Sequence, residues 1–349
     1  MAERADRPRI AHIIANLYTG GSARLVVDLV ERLGAFEHVV VVRTMPPELH
    51  YVGLDTMQAP SVTDTAQALA ILRRHKPDLV HVHFLGHDKD KYGRGDWDWY
   101  EPFFRAAEAY GRPVIENVNI PVAPYISDAV RCYVYVSDYV RKRFGRDEDR
   151  NITIYPGSDV DLFSQRSEAT SDGRIGMVYR LEQDKLDESA IDVFIEVIRR
   201  RPHTTATIVG GGRWLEPYRE RVRVAGLEKA FSFPAYVSYE ELPSHYSKLS
   251  VFVAPPHTES FGHVVPLAMS MGIPVAAYAV GALPEILGDE RVLAPAGDVT
   301  SLAAKIVELL DDPALSRELG AANRERARRL FSVEKMASDY AMLYEELLA

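Results

Sequence analysis

The sequence predicts an α/β protein with two Rossmann-like domains, each a doubly wound parallel sheet, that face a cleft. Short, nearly all-apolar strands alternate with helices along the whole chain, which is the pattern of parallel strands covered on both faces. A length of 349 residues suits two domains better than one. The polar segment SQRSEATSDG at 164–173 separates two such series and has the composition of a linker.

The first series begins with the apolar strand RIAHIIANL at 9–17, which leads through a glycine pair into an amphipathic helix. The helix at 65–77 ends at a proline, which cannot continue a helix. The remaining predicted elements of this half are strands at 38–44, 78–84, 112–119, 132–137 and 151–157, and a helix at 138–144.

The second series begins with the strand GRIGMVYRL at 173–181, followed by a helix at 187–202. Its other predicted strands are at 204–212, 231–237, 250–256, 274–279 and 291–296. The last segment, 332–349, has apolar residues at helical spacing and therefore needs a surface to pack on. We predict domains at 1–165 and 166–330, and a C-terminal helix at 331–349 that returns to the first domain.

Composition excludes several classes of protein. The chain is 47% hydrophobic and 26% charged, as in a soluble globular protein, and its net charge of −9 disfavours a nucleic-acid partner. The one cysteine, Cys132, lies in an apolar strand, which excludes a disulfide framework and a cysteine-rich zinc site. Because there is no apolar leader and no run of about 18 apolar residues, we expect a cytoplasmic protein without a strong membrane signal.

Ligands of parallel sheets bind beyond the carboxyl ends of the strands, and several of these ends carry polar residues or glycine. Gly20 and Gly21 follow the first strand, where glycine lets backbone N–H groups approach a ligand. The pair is equally compatible with a simple tight turn. It is not the GxGxxG fingerprint, so a dinucleotide enzyme is disfavoured.

Three strand ends of the second sheet converge on one crevice. Arg180 and Lys185 follow its first strand and are suited to a diphosphate, because arginine offers a planar fork and lysine a point charge. Gly211 and Gly212 follow the next strand and present flat backbone to a base or ribose. Glu259 follows another strand.

The motifs YRLEQDKL, GGG, ESFGHVVPLAMSMGIPV and GALPE occur in this order with compatible gaps. They resemble the pattern of the retaining GT-B glycosyltransferases of glycosyltransferase family 4, the glycosyl transferases group 1. The segments TGGSARLVVDLVERL, KPDLVHVHF, VSDYVRKRF and PGSDVDLF are similar to counterparts in the first half. The resemblance covers nearly the whole chain and implies a hexosyltransferase with a GT-B fold.

The resemblance also implies roles for individual residues. Arg180 and Lys185 would neutralise the donor diphosphate, and Glu259 would hold hydroxyls of the donor sugar near the reacting centre. Further donor contacts would come from the backbone at a helix start and from the glycine pair of the first domain: Ser260, Phe261, Gly262, His263, Gly20 and Gly21.

The implied reaction needs neither a metal nor a cofactor. A nucleotide diphosphate sugar, UDP- or dTDP-linked, is the donor substrate in the second domain, and the first domain binds the acceptor. Fixed cations and helix N–H groups would stabilise the leaving diphosphate. Attack from the same face would retain configuration. The acceptor stays open between a small molecule, a thiol and a glycan, with natural-product and cell-envelope glycosylation both compatible.

The chain departs from the family pattern at Leu267, where the family has a second glutamate that accepts hydrogen bonds from the ribose. A leucine cannot accept, which favours a donor that lacks one ribose hydroxyl, such as a dTDP-sugar, or else a loss of activity. The family's T-x-H loop reads ENVN at 116–119. Glu116, Asn117 and Asn119 are therefore candidates for contacts with the donor sugar, and the two asparagines also for contacts with the acceptor.

Aromatic residues in the polar stretch 86–102 are a second candidate acceptor contact. Exposed Trp97 and Trp99 could stack on sugars or aglycones; an aromatic-anchored loop packed on the sheet is the alternative. His81 and His83 lie on one face of a strand, but two histidines without a third ligand predict a structural pair and no metal site.

Two other functions stay open at this stage. A non-hydrolysing nucleotide-sugar epimerase shares the two-domain fold and would grip the same diphosphate. A catalytically silent nucleotide-sugar-binding homologue is the non-enzyme alternative, which the leucine at position 267 favours. The sequence does not define the oligomeric state, so a homodimer also stays open.

Overall fold

The computed structural model describes residues 7–17, 20–45, 54–85, 97–145, 150–164 and 173–349. The chain divides into two compact units, one formed by Met1–Gly157 with Val333–Ala349 and the other by Ser158–Ser332. The sequence analysis places the boundary between residues 165 and 166 instead. Most of the linker segment there, 165–172, lies outside the described residues.

The first unit contains a parallel sheet with helices between its strands. In chain order its described elements are β1 (Arg9–Asn16), α1 (Gly21–Arg32), β2 (Glu37–Thr44), β3 (Thr56–Gln58), α2 (Thr65–His75), β4 (Leu79–Phe84), α3 (Trp97–Tyr110), β5 (Val114–Val118), β6 (Val130–Tyr135), α4 (Asp138–Phe144) and β7 (Asn151–Thr153). The strand order across the sheet is β3-β2-β1-β4-β5-β6-β7, and every pairing among these strands is parallel.

The second unit repeats this arrangement. Its described elements are β8 (Arg174–Val178), α5 (Ala190–Arg200), β9 (Thr205–Val209), α6 (Leu215–Val224), β10 (Phe231–Ser232), α7 (Leu242–Tyr246), β11 (Val251–Ala254), α8 (Val264–Ser270), β12 (Val275–Tyr278), α9 (Leu283–Leu287), β13 (Leu293–Ala294), α10 (Val299–Asp311) and α11 (Pro313–Leu330). Short 3-10 helices occur at Glu228–Ala230 and Glu290–Val292. The strand order is β10-β9-β8-β11-β12-β13, again all parallel.

The predicted fold class, two doubly wound parallel sheets, is confirmed. In both sheets the chain winds outward from the first strand and then returns to the other side of it, so β4 pairs with β1 and β11 pairs with β8. The loops that follow these four strands therefore lie at the topological switch points, where α/β sheets bind their ligands. No described helix is both long and apolar enough to span a bilayer.

The last helix, α12 (Val333–Leu348), packs on the first sheet. Its apolar stripe joins one buried cluster with residues of α1 and of the central strands. The cluster includes Met336, Tyr340, Leu343 and Tyr344 from the helix, and Ile10, Leu25, Leu79, Ile115 and Val134 from the elements beneath it. The surface that the sequence requires for this helix is thus the core of the first unit.

A close helix contact positions α8, the helix that follows Glu259. A Cβ atom on Gly320 of α11 would lie 2.2 Å from the carbonyl oxygen of Gly272, just beyond α8. Nearby, the buried amide of Asn323 donates to the carbonyl of Ile273 over 3.0 Å. Only a glycine at position 320 lets the two backbones approach this closely.

Gly320→Ala is therefore expected to lower the free energy of unfolding of the second unit by about 1–3 kcal/mol, the usual cost of overpacking, although alanine is the better helix former. Urea denaturation followed through the fluorescence of Trp214 measures it. Ala321→Ser, at an exposed position of the same helix, serves as the control and should change stability by less than about 0.5 kcal/mol. Unchanged stability in the Gly320 variant would contradict this contact.

Candidate active site

Glu259 is a buried carboxylate in the loop after β11. It is 3% exposed, and its Oε1 accepts a hydrogen bond from Lys185 Nζ over 2.5 Å and a second from its neighbour Ser260 N over 3.1 Å. An isolated buried carboxylate would cost several kcal/mol, so the lysine is needed to keep the charge in this place. The structure thus brings together two of the three residues predicted to act on the donor.

Backbone contacts hold the loops around this ion pair. The carbonyl of Lys185 accepts from His257 N over 3.0 Å, and the His257 ring contacts the carbonyl of Gln183 over 2.8 Å, so the loops after β8 and β11 are joined. The carbonyl of Glu259 accepts from Ala282 N over 3.1 Å. Beside it, a Cβ on Gly281 would lie 1.8 Å from the same carbonyl oxygen, so the loop after β12 closes against this one.

Arg180 lies in the same loop as Lys185 but in a different environment. Its Nη2 contacts Asp184 Oδ2 over 2.6 Å, and its side chain is 49% exposed. An exposed pair four residues apart contributes little to stability, so the guanidinium can exchange its partner at small cost. The structure therefore leaves Arg180 outside the Lys185–Glu259 pair and at the surface of the loop.

The glycines after β9 divide into two kinds. Gly210 and Gly212 have φ of 131° and 142°, and a Cβ there would lie 1.9 Å from the carbonyl oxygen of Tyr179 or 2.6 Å from that of Leu181. These two glycines are required by packing on the loop after β8. Gly211 has nothing within 4 Å of an added Cβ and so offers open backbone to a ligand. The sequence analysis missed Gly210, whose role depends on the neighbouring strand.

In the segment from Ser260 to His263, which the sequence analysis assigns to donor contacts, some groups already contact other parts of the protein. The amide of Ser260 donates to Glu259, and Phe261 is 4% exposed with its ring 5.6 Å from that of Phe331. Gly262 has φ of 83°, and a Cβ there would lie 3.0 Å from Glu259 Cγ. His263 directly precedes α8. The amide of Ser260 is thus a hydrogen-bond donor to the Glu259 carboxylate, and the Phe261 side chain packs in the interior.

The positions that depart from the family pattern are buried. Leu267 is 1% exposed within α8. Tyr179 is 6% exposed, and its hydroxyl has no hydrogen-bond partner in the part of the chain that the structure describes. Burial, together with the nearby Glu259, raises the pKa of Tyr179 well above its ordinary value. The phenol is therefore neutral and lies in the electrostatic field of the carboxylate.

In the first unit, Gly20 and Gly21 are not demanded by backbone geometry. Gly20 is extended, with φ of 170°, and precedes α1, while an added Cβ on Gly21 would meet nothing within 4 Å. The preceding residues, 18 and 19, lie outside the described part of the chain. Open space beside Gly21 is what the close approach of a ligand requires.

Asn117 and Asn119 form a buried amide pair at the end of β5. Asn117 Nδ2 donates to Asn119 Oδ1 over 2.6 Å, and Asn117 Oδ1 accepts from the hydroxyl of Tyr340 on α12. Asn119 Nδ2 has no partner among the described residues and is the donor left for a ligand. Glu116 instead accepts from Tyr125 N over 3.0 Å, and burial raises the pKa of Glu116 well above its ordinary value.

The structure distinguishes between the two interpretations that the sequence left open for the tryptophans, exposed stacking contacts and packing on the sheet. The two tryptophans lie on the first turn of α3, and Trp99 is 2% exposed with its Nε1 donating to the carbonyl of Ala59 over 2.9 Å. Trp99 therefore follows the packed alternative and is not available for stacking, because its indole N–H has a partner inside the fold. Trp97 is half-buried against Phe84 and Tyr125. Residues 86–96 of the stretch lie outside the described residues.

A double-mutant cycle with Lys185→Met and Glu259→Gln should give a coupling energy of about 1–3 kcal/mol in urea denaturation, because each single change leaves a buried polar group without its partner. The control is the exposed pair of Arg200 and Glu196, also in the second unit, where the cycle should give about 0.3–0.5 kcal/mol. Equal coupling in the two cycles would show that the carboxylate is not held by the lysine.

Comparisons with known proteins define the class of the chain. The sequence profile of the family Glycosyl transferases group 1 matches residues 160–326. Glycogen synthase of Mycobacterium tuberculosis is 26% identical over 299 residues, which cover 78% of this chain and 69% of that protein. D-inositol 3-phosphate glycosyltransferase of Geodermatophilus obscurus is 26% identical over 345 residues, covering 85% of this chain and 74% of that protein.

A solved structure extends the likeness to the whole fold. HepE of Anabaena, crystallised in complex with UDP and glucose, matches with a TM-score of 0.78 at 16% identity, over 96% of this chain and 99% of that one. The matched family segment lies entirely within the second unit, which carries Glu259 and Lys185. The chain is therefore a glycosyltransferase with the GT-B fold, and its residues 160–326 match the family Glycosyl transferases group 1.

Proposed function

We propose that this enzyme transfers a hexose from a nucleotide diphosphate sugar to an acceptor with retention of configuration and without a metal in the reaction. One observation carries the proposal: a buried carboxylate and an ammonium group, Glu259 and Lys185, form a contact pair at the switch point of the second sheet. The solved relative HepE is described in complex with UDP and glucose, which supports a donor of this chemistry.

In the proposed reaction Lys185 and Glu259 separate, and each takes a new partner on the donor. Lys185 is 25% exposed at its side chain, so its ammonium can turn from Glu259 toward the entering diphosphate. The carboxylate then accepts hydrogen bonds from sugar hydroxyls in place of the lysine. Arg180, whose partner Asp184 holds it only at the surface, adds a planar fork that suits the same diphosphate.

The chemical step develops negative charge on the leaving diphosphate as the anomeric C–O bond breaks. Cations that donor binding has turned toward the diphosphate stabilise this charge without further reorganisation in the chemical step, which is where most of the catalytic effect is expected. The acceptor hydroxyl or thiol attacks from the same face and gives its proton to the leaving phosphate. NMR assignment of the product anomer tests this retention.

The acceptor belongs to the first unit in this proposal. The free N–H of Asn119 and the open backbone at Gly21 are the described groups that favour contacts with a hydroxylated ligand. The relatives are named for a polymeric glycan in one case and for inositol 3-phosphate in another. Both a glycan and a small molecule therefore remain acceptor classes, together with a thiol.

Arg180→Ala should weaken donor binding about tenfold to a hundredfold, the equivalent of losing hydrogen bonds to a charged group. A thermal-shift panel of nucleotide diphosphate sugars measures it, because a ligand that binds the folded state raises the apparent melting temperature. Arg200→Ala is the matched control, since it also breaks an exposed pair with an acidic residue four positions away. An undiminished shift in the Arg180 variant would remove this residue from the donor site.

Leu267 generates a prediction about the nucleotide. Because a buried leucine cannot accept from the ribose, the wild-type enzyme should bind UDP-glucose and dUDP-glucose, which differ only in the 2′-hydroxyl, with dissociation constants within about tenfold of each other. dTDP-glucose should bind in the same range. Isothermal titration with the three donors measures these dissociation constants. A preference for UDP-glucose well above tenfold would show that the enzyme recognises the 2′-hydroxyl and would contradict the prediction.

A further inference from the structure

Four histidines lie on one face of the first sheet, beneath α12. His12 is on β1, His38 on β2, and His81 and His83 on β4. The parallel register places His12 opposite His81, and residues two apart on one strand share a face. His12, His81 and His83 are each 0% exposed. The sequence analysis considered only the pair on β4, because nothing local indicates that β1 supplies a third imidazole beside it.

The three buried imidazoles are close enough to share one ion. One ring nitrogen from each lies within 4.8 Å of the others. His12 Nδ1 is 3.1 Å from His83 Nε2, and the rings of His81 and His83 have centroids 4.0 Å apart. Metal–nitrogen bonds of about 2.0–2.1 Å place tetrahedral ligands roughly 3.3–3.5 Å apart. The broad χ2 torsion of histidine allows the remaining adjustment.

The ring nitrogen of His12 that faces away from the triad already has a partner. His12 Nε2 contacts His38 Nδ1 over 3.0 Å, and His38 Nε2 contacts the carbonyl of Leu33 over 3.1 Å. Because a carbonyl only accepts, a neutral His38 carries its proton on Nε2 and accepts from His12. His12 therefore keeps its lone pair on Nδ1, the nitrogen that faces His83.

His81 is oriented in the same way. Its Nδ1 contacts the hydroxyl of Tyr344 over 2.7 Å, while its Nε2 has no hydrogen-bond partner among the described residues. Within the described part of the chain, His83 makes no hydrogen bond through Nδ1, and its Nε2 contacts His12. Buried polar nitrogens without partners are rare and indicate a group that satisfies them.

We propose that His12, His81 and His83 form a binding site for a divalent transition metal of the zinc type. Three imidazoles with one open position are an established ligand set for this ion, and imidazole suits zinc, cobalt, nickel and copper. His38 and Tyr344 serve as the outer partners that fix the orientation of ligand rings. The site belongs to the first unit, whereas the Lys185–Glu259 pair belongs to the second.

The test uses the full chain without an affinity tag. Chelator-treated wild-type protein is loaded with Co²⁺ or Zn²⁺ in two ways, by addition to the folded protein and by refolding in its presence, because the site is buried. We expect one ion per chain by elemental analysis, a tetrahedral Co²⁺ absorption spectrum and a raised melting temperature. Less than stoichiometric metal in both preparations, or only the weak octahedral spectrum of surface-bound Co²⁺, overturns the proposal.

Variants locate the ion. His83→Gln should abolish the tetrahedral spectrum, and His38→Gln should weaken Zn²⁺ binding about tenfold to a hundredfold, as expected for an outer partner. His203→Gln, at an exposed position in the second unit, should leave both unchanged. A wild-type spectrum in the His83 variant would place the ion elsewhere and overturn the proposal. If that variant does not fold, the wild-type stoichiometry and spectrum still decide.

Discussion

The ion pair between Lys185 and Glu259 is the interaction on which the ligand-facing edge of the second sheet depends. Glu259 is almost completely buried, and burial of an uncompensated carboxylate would cost more than a typical single contact contributes. The lysine that compensates this charge comes from the loop after a different strand. The conformation of each of the two loops therefore depends on the other, although they are distant in sequence. Gly281 adds the third loop by passing against the Glu259 carbonyl.

A pair of this kind suits an enzyme whose substrate carries both a diphosphate and a polyol. Each charge is neutralised by the other, and the loops after the two strands are held together by this contact. In the proposed reaction the two groups separate toward different parts of one ligand. Little of the binding energy then has to be spent on ordering the protein.

The fold was predictable because its signals are local. Apolar runs such as the one at 250–256 identify buried strands without knowledge of their neighbours, and the order of motifs placed Glu259 and Lys185 at strand ends. What escaped prediction depends on contacts between distant segments. Gly210 is required by the carbonyl of Tyr179 in the loop after another strand, and His12 meets His83 only through strand pairing. Composition alone cannot distinguish an exposed Trp99 from one whose indole finds a carbonyl partner.

The placement of α12 has a consequence for the synthesis of the protein. Its tyrosines complete the core over the first sheet and hold Asn117 and His81, yet they are translated after the whole second unit. A ribosome-bound chain must therefore carry the first sheet with one apolar face uncovered until the last turns of helix emerge. The second unit, which is continuous in sequence, can finish first. The nascent chain is thus expected to need chaperone protection during this interval.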